Sequence, residues 1–316
     1  LEKATRDAVN MLDSVIDISN FPLKAQRYEA TMKRRMGIGI TGFADMLAML
    51  CVVYGSEKSI EIAGNLMKQI TFAAYDESAD LAVKYGPCFP TANIKNRKLY
   101  LEGFIPKQLP EAIKNKILNN GIRNSHLISI APTGTISLYA GNISSGCEPI
   151  FAYEYFRKVL EKDGTKREEP VMDYAVKLYR DMFPDSTLPD YFVNAQTLTP
   201  RAHLEIQAAL QKWVDSSISK TINLPEDIPF AEFEQVYLDA YDMGCKGCTT
   251  YRPNDVTGSI ISTTSEKDKA KEEVVKPQSV QPLKRPDILR GNTYKAKWQG
   301  NNVYIFPGVG LGALVS

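Results

Sequence analysis

An α/β fold is predicted for this 316-residue chain, and three observations carry the expectation. Short apolar runs at Met36 to Ile40 and Leu127 to Ile130 have the length of strands. Long segments with helical periodicity separate such runs, so the strands must pair in parallel through crossovers. Finally, 44% hydrophobic and 24% charged residues describe a globular chain long enough for one large domain or two smaller ones.

The elements follow in order. Leu1 to Ile18 places Val9, Leu12, Val15 and Ile16 at helical spacing, and Asn20-Phe21-Pro22 stops the helix. Gly37 to Gly55 is apolar and about long enough to span a bilayer, yet Asp45 near its centre and the early glycines read instead as a buried strand entering a core helix at Gly42 to Leu50. Ile60 to Tyr85 is an amphipathic helix, and Glu111 to Asn119 is another, ended by Asn119-Asn120-Gly121. A third apolar run, Ile136 to Tyr139, reads as a strand. Tyr153 to Pro170 is charged and exposed in this reading. Val171 to Met182, Pro200 to Ser219 and Phe230 to Met243 are helical, with His203, Ile206, Leu210 and Val214 sharing a face. Cys245 to Arg252 favours a strand that closes at Pro253.

Three domain-level segments result: 1–262 as the main α/β unit, 263–284 as a solvated linker, and 285–316 as the start of a small domain, truncated. Thr293 to Trp298 and Asn302 to Ile305 read there as a hairpin.

The 38 basic and 37 acidic residues nearly cancel, so no global field recruits nucleic acid or an anionic membrane, and any phosphate must be held locally. Five cysteines, an odd number, fit a reducing cytoplasm better than a disulfide scaffold.

The stretch from Asn124 to Ser137, continued to Pro149, couples an apolar strand to a turn of small residues. Pro132, Thr133, Gly134, Thr135, Ile136 and Ser137 offer amides and hydroxyls of the kind that wrap phosphate oxygens. Taken alone, the residues favour an ordinary tight turn. Gly37 to Gly42 is a formal Gly-x-Gly-x-x-Gly, but Lys33-Arg-Arg-Met36 precedes it where a dinucleotide site needs an apolar strand, so close packing is the better reading. Cys245 and Cys248 lack two further zinc ligands and read as buried thiols. His126 and His203 read as core or capping residues, and Glu148 as a carboxylate that orders backbone amides or, less readily, as a general base.

Five segments, in order, resemble the carboxy-terminal half of the ribonucleotide reductase catalytic barrel: Lys33 to Asp45, Arg123 to Ser137, Asn142 to Pro149, Gln207 to Pro225 and Lys246 to Asn254. The resemblance implies half of a ten-stranded α/β barrel whose loop Pro132 to Ser137 holds the phosphates of a ribonucleoside di- or triphosphate. It implies radical replacement of the ribose 2′-hydroxyl by hydrogen, making deoxyribonucleotides. In reductases with a metal-containing radical subunit, two adjacent tyrosines relay the radical. The matching positions here are Thr249 and Thr250, so Thr-Thr-Tyr-Arg-Pro resembles the adenosylcobalamin-dependent class. The family's Asn-Pro-Cys-Gly-Glu loop, which carries the radical cysteine, is expected upstream of Leu1. No catalytic residue is therefore assigned to this chain, which is expected to be inactive alone. Implied partners are a ribonucleotide, the amino-terminal half of the barrel and a thioredoxin-like or other thiol reductant, with a homodimer left open. The alternatives are a reductase with a metal-containing radical subunit and, less favoured, a nicotinamide-dependent dehydrogenase. Arg285 to Tyr304 resembles the small domain that follows the barrel in cobalamin-dependent reductases, whereas Phe306 to Gly312 does not continue it.

Overall fold

The structure, a computed structural model, describes residues 1–160, 166–253, 261–262, 294–298 and 301–305, with side chains for 1–156 and 169–253. It divides into two units, Leu1–Ser265 and Glu266–Ser316. The linker expected over 263–284 and the tail beyond Ile305 lie outside the described residues.

In the first unit, helices α1 (Glu2–Ile18), α2 (Lys24–Lys33), α3 (Phe43–Met49), α4 (Glu57–Tyr85), α5 (Ile94–Leu101) and α6 (Glu111–Asn120) precede the candidate loop. The longest, α4, begins where the Ser56 hydroxyl accepts the Ser59 amide and ends at Gly86, whose φ of 83° suits glycine. Ala63, Ala74, Ser78 and Ala79 keep its buried side slim, and α1, α6 and α9 (Pro200–Gln211) pack against it.

The buried stripe of α1 is Thr5, Val9 and Asp13, and Val15, expected inside, is exposed. Asp13 tolerates burial because Arg34 Nε, Asn124 Nδ2 and Arg123 Nε donate to it at 2.8, 2.8 and 3.2 Å. Helices α2 and α5 bury no residue, so neither carries an apolar stripe that a periodicity reading could find.

Parallel pairing holds the site in place. Ile38 bridges Ile128 and Ile130 bridges Ile218, both in parallel. Further along, β3 (Thr221–Asn223) runs parallel to β4 (Thr249–Tyr251). The Asp215 carboxylate accepts the Leu127 and Ile128 amides at 2.8 and 3.0 Å, and with them the Tyr75 hydroxyl at 2.9 Å. Gly37 and Gly39 serve this packing: a Cβ on Gly39 would lie 2.3 Å from the Ser129 carbonyl oxygen. That contact accounts for the glycine pattern without a dinucleotide.

Two sequence expectations are corrected, and one charged stretch that the sequence left without an element gains strands. Ile136–Tyr139 is a single helical turn, α7, and not a strand. Its run has no pairing partner in the described sheets, Ser137 is buried, and Ile136 and Tyr139 point outward. The helix from Pro200 ends at Gln211, because Ser216 to Ser219 pairs with the 128–130 strand instead. The charged stretch after Tyr153 contains strands β1 (Glu154–Leu160) and β2 (Lys166–Met172), paired antiparallel, with β5 (Ile261–Ser262) beside β1. Helices α8 (Tyr174–Met182) and α10 (Phe230–Asp242) complete the unit. Among the described residues the sheets are small and none closes.

In the second unit, β6 (Tyr294–Trp298) pairs antiparallel with β7 (Asn301–Ile305), the hairpin expected from the sequence.

Candidate functional site

A cavity of about 690 Å³ opens beside the small-residue turn. Gly134, Thr135 and Ser137 line it, and so do the strand ends Thr221, Asn223, Thr249, Thr250 and Tyr251. Its size falls in the range of small-molecule sites.

The turn owes its shape to Thr133, which adopts φ 54°. The Thr133 hydroxyl accepts the Gly146 amide at 2.7 Å and shares a hydrogen bond with the Thr41 hydroxyl at 2.9 Å. These bonds tie the turn to two other loops and hold it in the left-handed conformation. The Ser137 amide donates to the Thr133 carbonyl at 2.9 Å and so opens α7. The amides of Gly134, Thr135 and Ile136 precede that first bond and have no intrahelical acceptor. The Ser137 hydroxyl lies 3.2 Å from that of Ser145. Of the six residues expected at a phosphate, the structure thus brings Gly134, Thr135 and Ser137 to the cavity. Thr133 braces the turn, while Pro132 and Ile136 are exposed outside the lining.

A second wall joins α3 to α8. The Ser144 hydroxyl accepts the Ala44 and Asp45 amides at 3.1 and 3.3 Å, and the Ser144 amide returns a bond to Asp45 Oδ2 at 2.5 Å. The Ala175 amide then donates to both Asp45 Oδ1 and Asp173 Oδ1, at 2.9 and 3.1 Å. Burial first, and then the neighbouring Asp45, push the Asp173 carboxyl up to about 8.

Glu148 stands at the third wall. Its Oε1 accepts the Thr221 amide and its Oε2 the Lys220 ammonium, each at 2.6 Å. Lys220 is fully buried and also donates to His203 Nδ1 at 2.8 Å and to the Thr221 carbonyl at 2.9 Å. Because an ammonium only donates, His203 Nδ1 must accept and the ring is neutral, with its proton on Nε2. Burial, assisted by the Lys220 charge, pushes His203 down to about 3. Glu148 therefore orders an amide and an ammonium, the structural one of its two readings. Lys220, Asp45 and Asp173 were missed as site residues. The one available signal for Lys220 was a lysine inside the β-branched, small-residue run Ile218 to Ile222.

Burial pushes the Cys147 thiol up to about 12 and the Cys245 thiol up to about 11, and raises those of Cys88 and Cys248. None of these four is a ready thiolate at neutral pH. Cys245 and Cys248 are half-buried, less enclosed than expected, and pack against the apolar cluster of α9, β3 and α10. Among the described residues no group of three or more His, Cys, Asp or Glu could hold a metal ion, and no helix is long and apolar enough to cross a membrane.

Comparison with known proteins places this geometry in a family. The model of the ribonucleotide reductase barrel domain matches residues 1–251. A vitamin B12-dependent ribonucleoside-diphosphate reductase of Mycobacterium tuberculosis (strain CDC 1551 / Oshkosh) is 31% identical over 284 residues, 84% of this chain and 38% of that protein. The protein of the same description from Thermoplasma acidophilum is 32% identical over 290 residues, 86% of this chain and 35% of that protein. A ribonucleoside-diphosphate reductase subunit alpha of Helicobacter pylori (strain J99) is 27% identical over 270 residues, covering 80% and 32%. The chain spans about a third of the length of these relatives. With a match that runs through the turn, Glu148, Lys220 and β4, this chain belongs to the ribonucleotide reductase family.

Proposed function

We propose that this chain is the part of a ribonucleotide reductase that holds the substrate's phosphates, in an enzyme that replaces the ribose 2′-hydroxyl by hydrogen. The observation that carries the reading is the convergence of the Gly134 to Ser137 turn with the strand ends at Thr221 and Thr249 on one cavity. Amides and hydroxyls, with no cation needed, suit a phosphate whose position must be fixed and whose charge must not be trapped too tightly. In this reading residues 1–262 are the carboxy-terminal half of a ten-stranded α/β barrel, 263–284 a linker and 285–316 the start of a small domain. The radical cysteine and the other half of the wall are supplied by the amino-terminal half of the barrel, and reducing equivalents by a thioredoxin-like or other thiol partner.

Two of the relatives named above are described as vitamin B12-dependent, and adenosylcobalamin is the cofactor we assign. When bound, it supplies a radical by cleavage of its cobalt–carbon bond. Thr249 and Thr250, small and uncharged on the cavity wall, fit beside a bulky cofactor. Thr250 Oγ1 is 2.9 Å from the Tyr237 hydroxyl, so its side chain is fixed by a neighbouring phenol. A threonine cannot carry a radical as a tyrosine does, which argues against the rival reading with a metal-containing radical subunit. Activity of the complete enzyme without cobalamin but dependent on a second protein would favour that rival.

The loop assignment is tested by calorimetry with a ribonucleoside diphosphate on wild type and on the Thr133→Asp, Thr135→Asp double variant. Loss of binding supports the assignment, and equal affinity overturns it.

A further inference from the structure

The cavity is lined by two acidic residues, Glu148 and Asp173, and by no lysine or arginine among the described residues. Two unscreened carboxylates would repel a diphosphate. Glu148 is answered by the Lys220 ammonium at 2.6 Å. Among the described residues no cation answers Asp173, and only the Ala175 and Val176 amides donate to it. The groups that face it are Asp45 from α3, Tyr153 ahead of β1 and, across the cavity, the paired Glu148. The Tyr153 hydroxyl is committed to the Phe192 carbonyl. On α8 itself, Lys177 pairs with Asp181 and Arg180 with Glu154. Asp45 and Asp173 are 3% and 4% exposed, and two of their oxygens converge on the single Ala175 N–H.

Two buried carboxyls that share the Ala175 N–H and are otherwise met only by the neutral Ser144 and Val176 amides, with no cation among the described residues, cannot both ionise cheaply. A phosphate arriving at the turn adds negative charge to a cavity that Asp173 also lines. We propose that anion binding in this cavity is coupled to proton uptake by Asp173 beside Asp45, so that the site takes a phosphate-bearing ligand together with a proton from solvent. This inference rests on the phosphate reading of the cavity. Asp173 is then a residue that sets how much negative charge the site accepts, acting from the cavity wall with no part in the chemistry. The elevated affinity of Asp173 for its proton has the direction this coupling requires.

The test is calorimetry of cytidine diphosphate and of inorganic pyrophosphate titrated into the full chain at pH 8, in two buffers of different ionisation enthalpy. The second ionisation of a nucleotide phosphate, near pKa 6, is complete at that pH, so proton uptake seen with cytidine diphosphate belongs to the protein. Wild type is expected to take up a measurable fraction of one proton, and its affinity to fall by up to about tenfold per pH unit above pH 8. Asp173→Asn keeps a capping acceptor for the α8 amides and removes the titration. It should bind with no proton uptake and with affinity flat from pH 7 to 9. Asp45→Asn, which removes the like charge, should also reduce uptake and supplies a second arm if Asp173→Asn misfolds. Wild-type binding without proton uptake, or uptake that persists in both variants, overturns the inference while leaving the phosphate reading intact. Failure of wild type to bind either ligand overturns both.

Discussion

Replacing Lys220 by methionine removes a fully buried ammonium and leaves its three acceptors, Glu148 Oε2, His203 Nδ1 and the Thr221 carbonyl, without their donor. Breaking a buried ion pair from one side costs about 3–5 kcal/mol, chiefly because the other charge stays buried and unpaired. The Glu148 side chain retains 22% exposure, so some solvent reaches it, and the lower end, about 3 kcal/mol, is the expected loss. In a unit of this size that loss corresponds to a fall of roughly 6–12 °C in Tm. Urea and thermal unfolding of wild type, Lys220→Met and the double variant Lys220→Met, Glu148→Gln measure it. The double variant should recover at least half of the loss, because the unpaired charge is gone. A single-variant loss below about 1 kcal/mol, the size of an exposed pair, would refute the reasoning. So would a double variant less stable than the single one.

Further outcomes follow from the same structure. His203 is held down to about 3, below its unfolded value near 6.5. Its contribution to stability is thus complete above pH 6.5 and lost as pH falls toward 3, and His203→Gln should flatten that part of the urea midpoint against pH. Asp173, raised to about 8, works in the opposite sense: its contribution is present at low pH and lost as pH rises through 8, so Asp173→Asn should gain on wild type with rising pH. For Gly39→Ala, the new methyl meets the Ser129 carbonyl at 2.3 Å and the Ile130 Cα at 3.1 Å, so a loss of at least about 3 kcal/mol is expected in urea unfolding. Gly134→Ala, with nothing within 4 Å, should unfold within about 1 kcal/mol of wild type. Asp13→Asn weakens a buried carboxylate that holds Arg34, Arg123 and Asn124, and should cost about 3 kcal/mol by the same assay.

Helices that bury an apolar stripe, such as α4 and α9, were legible because burial imposes the 3.6-residue period. Helices α2 and α5 bury nothing and left no such trace. Ile136 to Tyr139 misled because four residues with isoleucine and tyrosine satisfy a strand pattern locally, whereas strand or helix there was decided by the Thr133 hydroxyl bonds and the lack of a partner edge. The turn itself was legible, since small residues after an apolar strand are a local signal. Lys220 and Asp173 were not, because a charged residue reads as surface until the fold supplies its surroundings. Lys220 meets Glu148 across 72 residues of chain, and the Asp45 carboxylate meets the Ala175 amide beside Asp173 across 130. Sequence reasoning has no local view of either encounter.

If the turn at Thr133 to Ser137 holds the phosphates of a ribonucleotide, its backbone amides must respond to one. The most direct test is the titration of cytidine diphosphate into the isotope-labelled chain while backbone amide resonances are followed. The amides of Gly134, Thr135 and Ile136 should shift together and saturate at one concentration, with those of Gly37 to Gly42 unmoved. Shifts centred on Gly37 to Gly42, with the turn silent, would contradict the phosphate assignment.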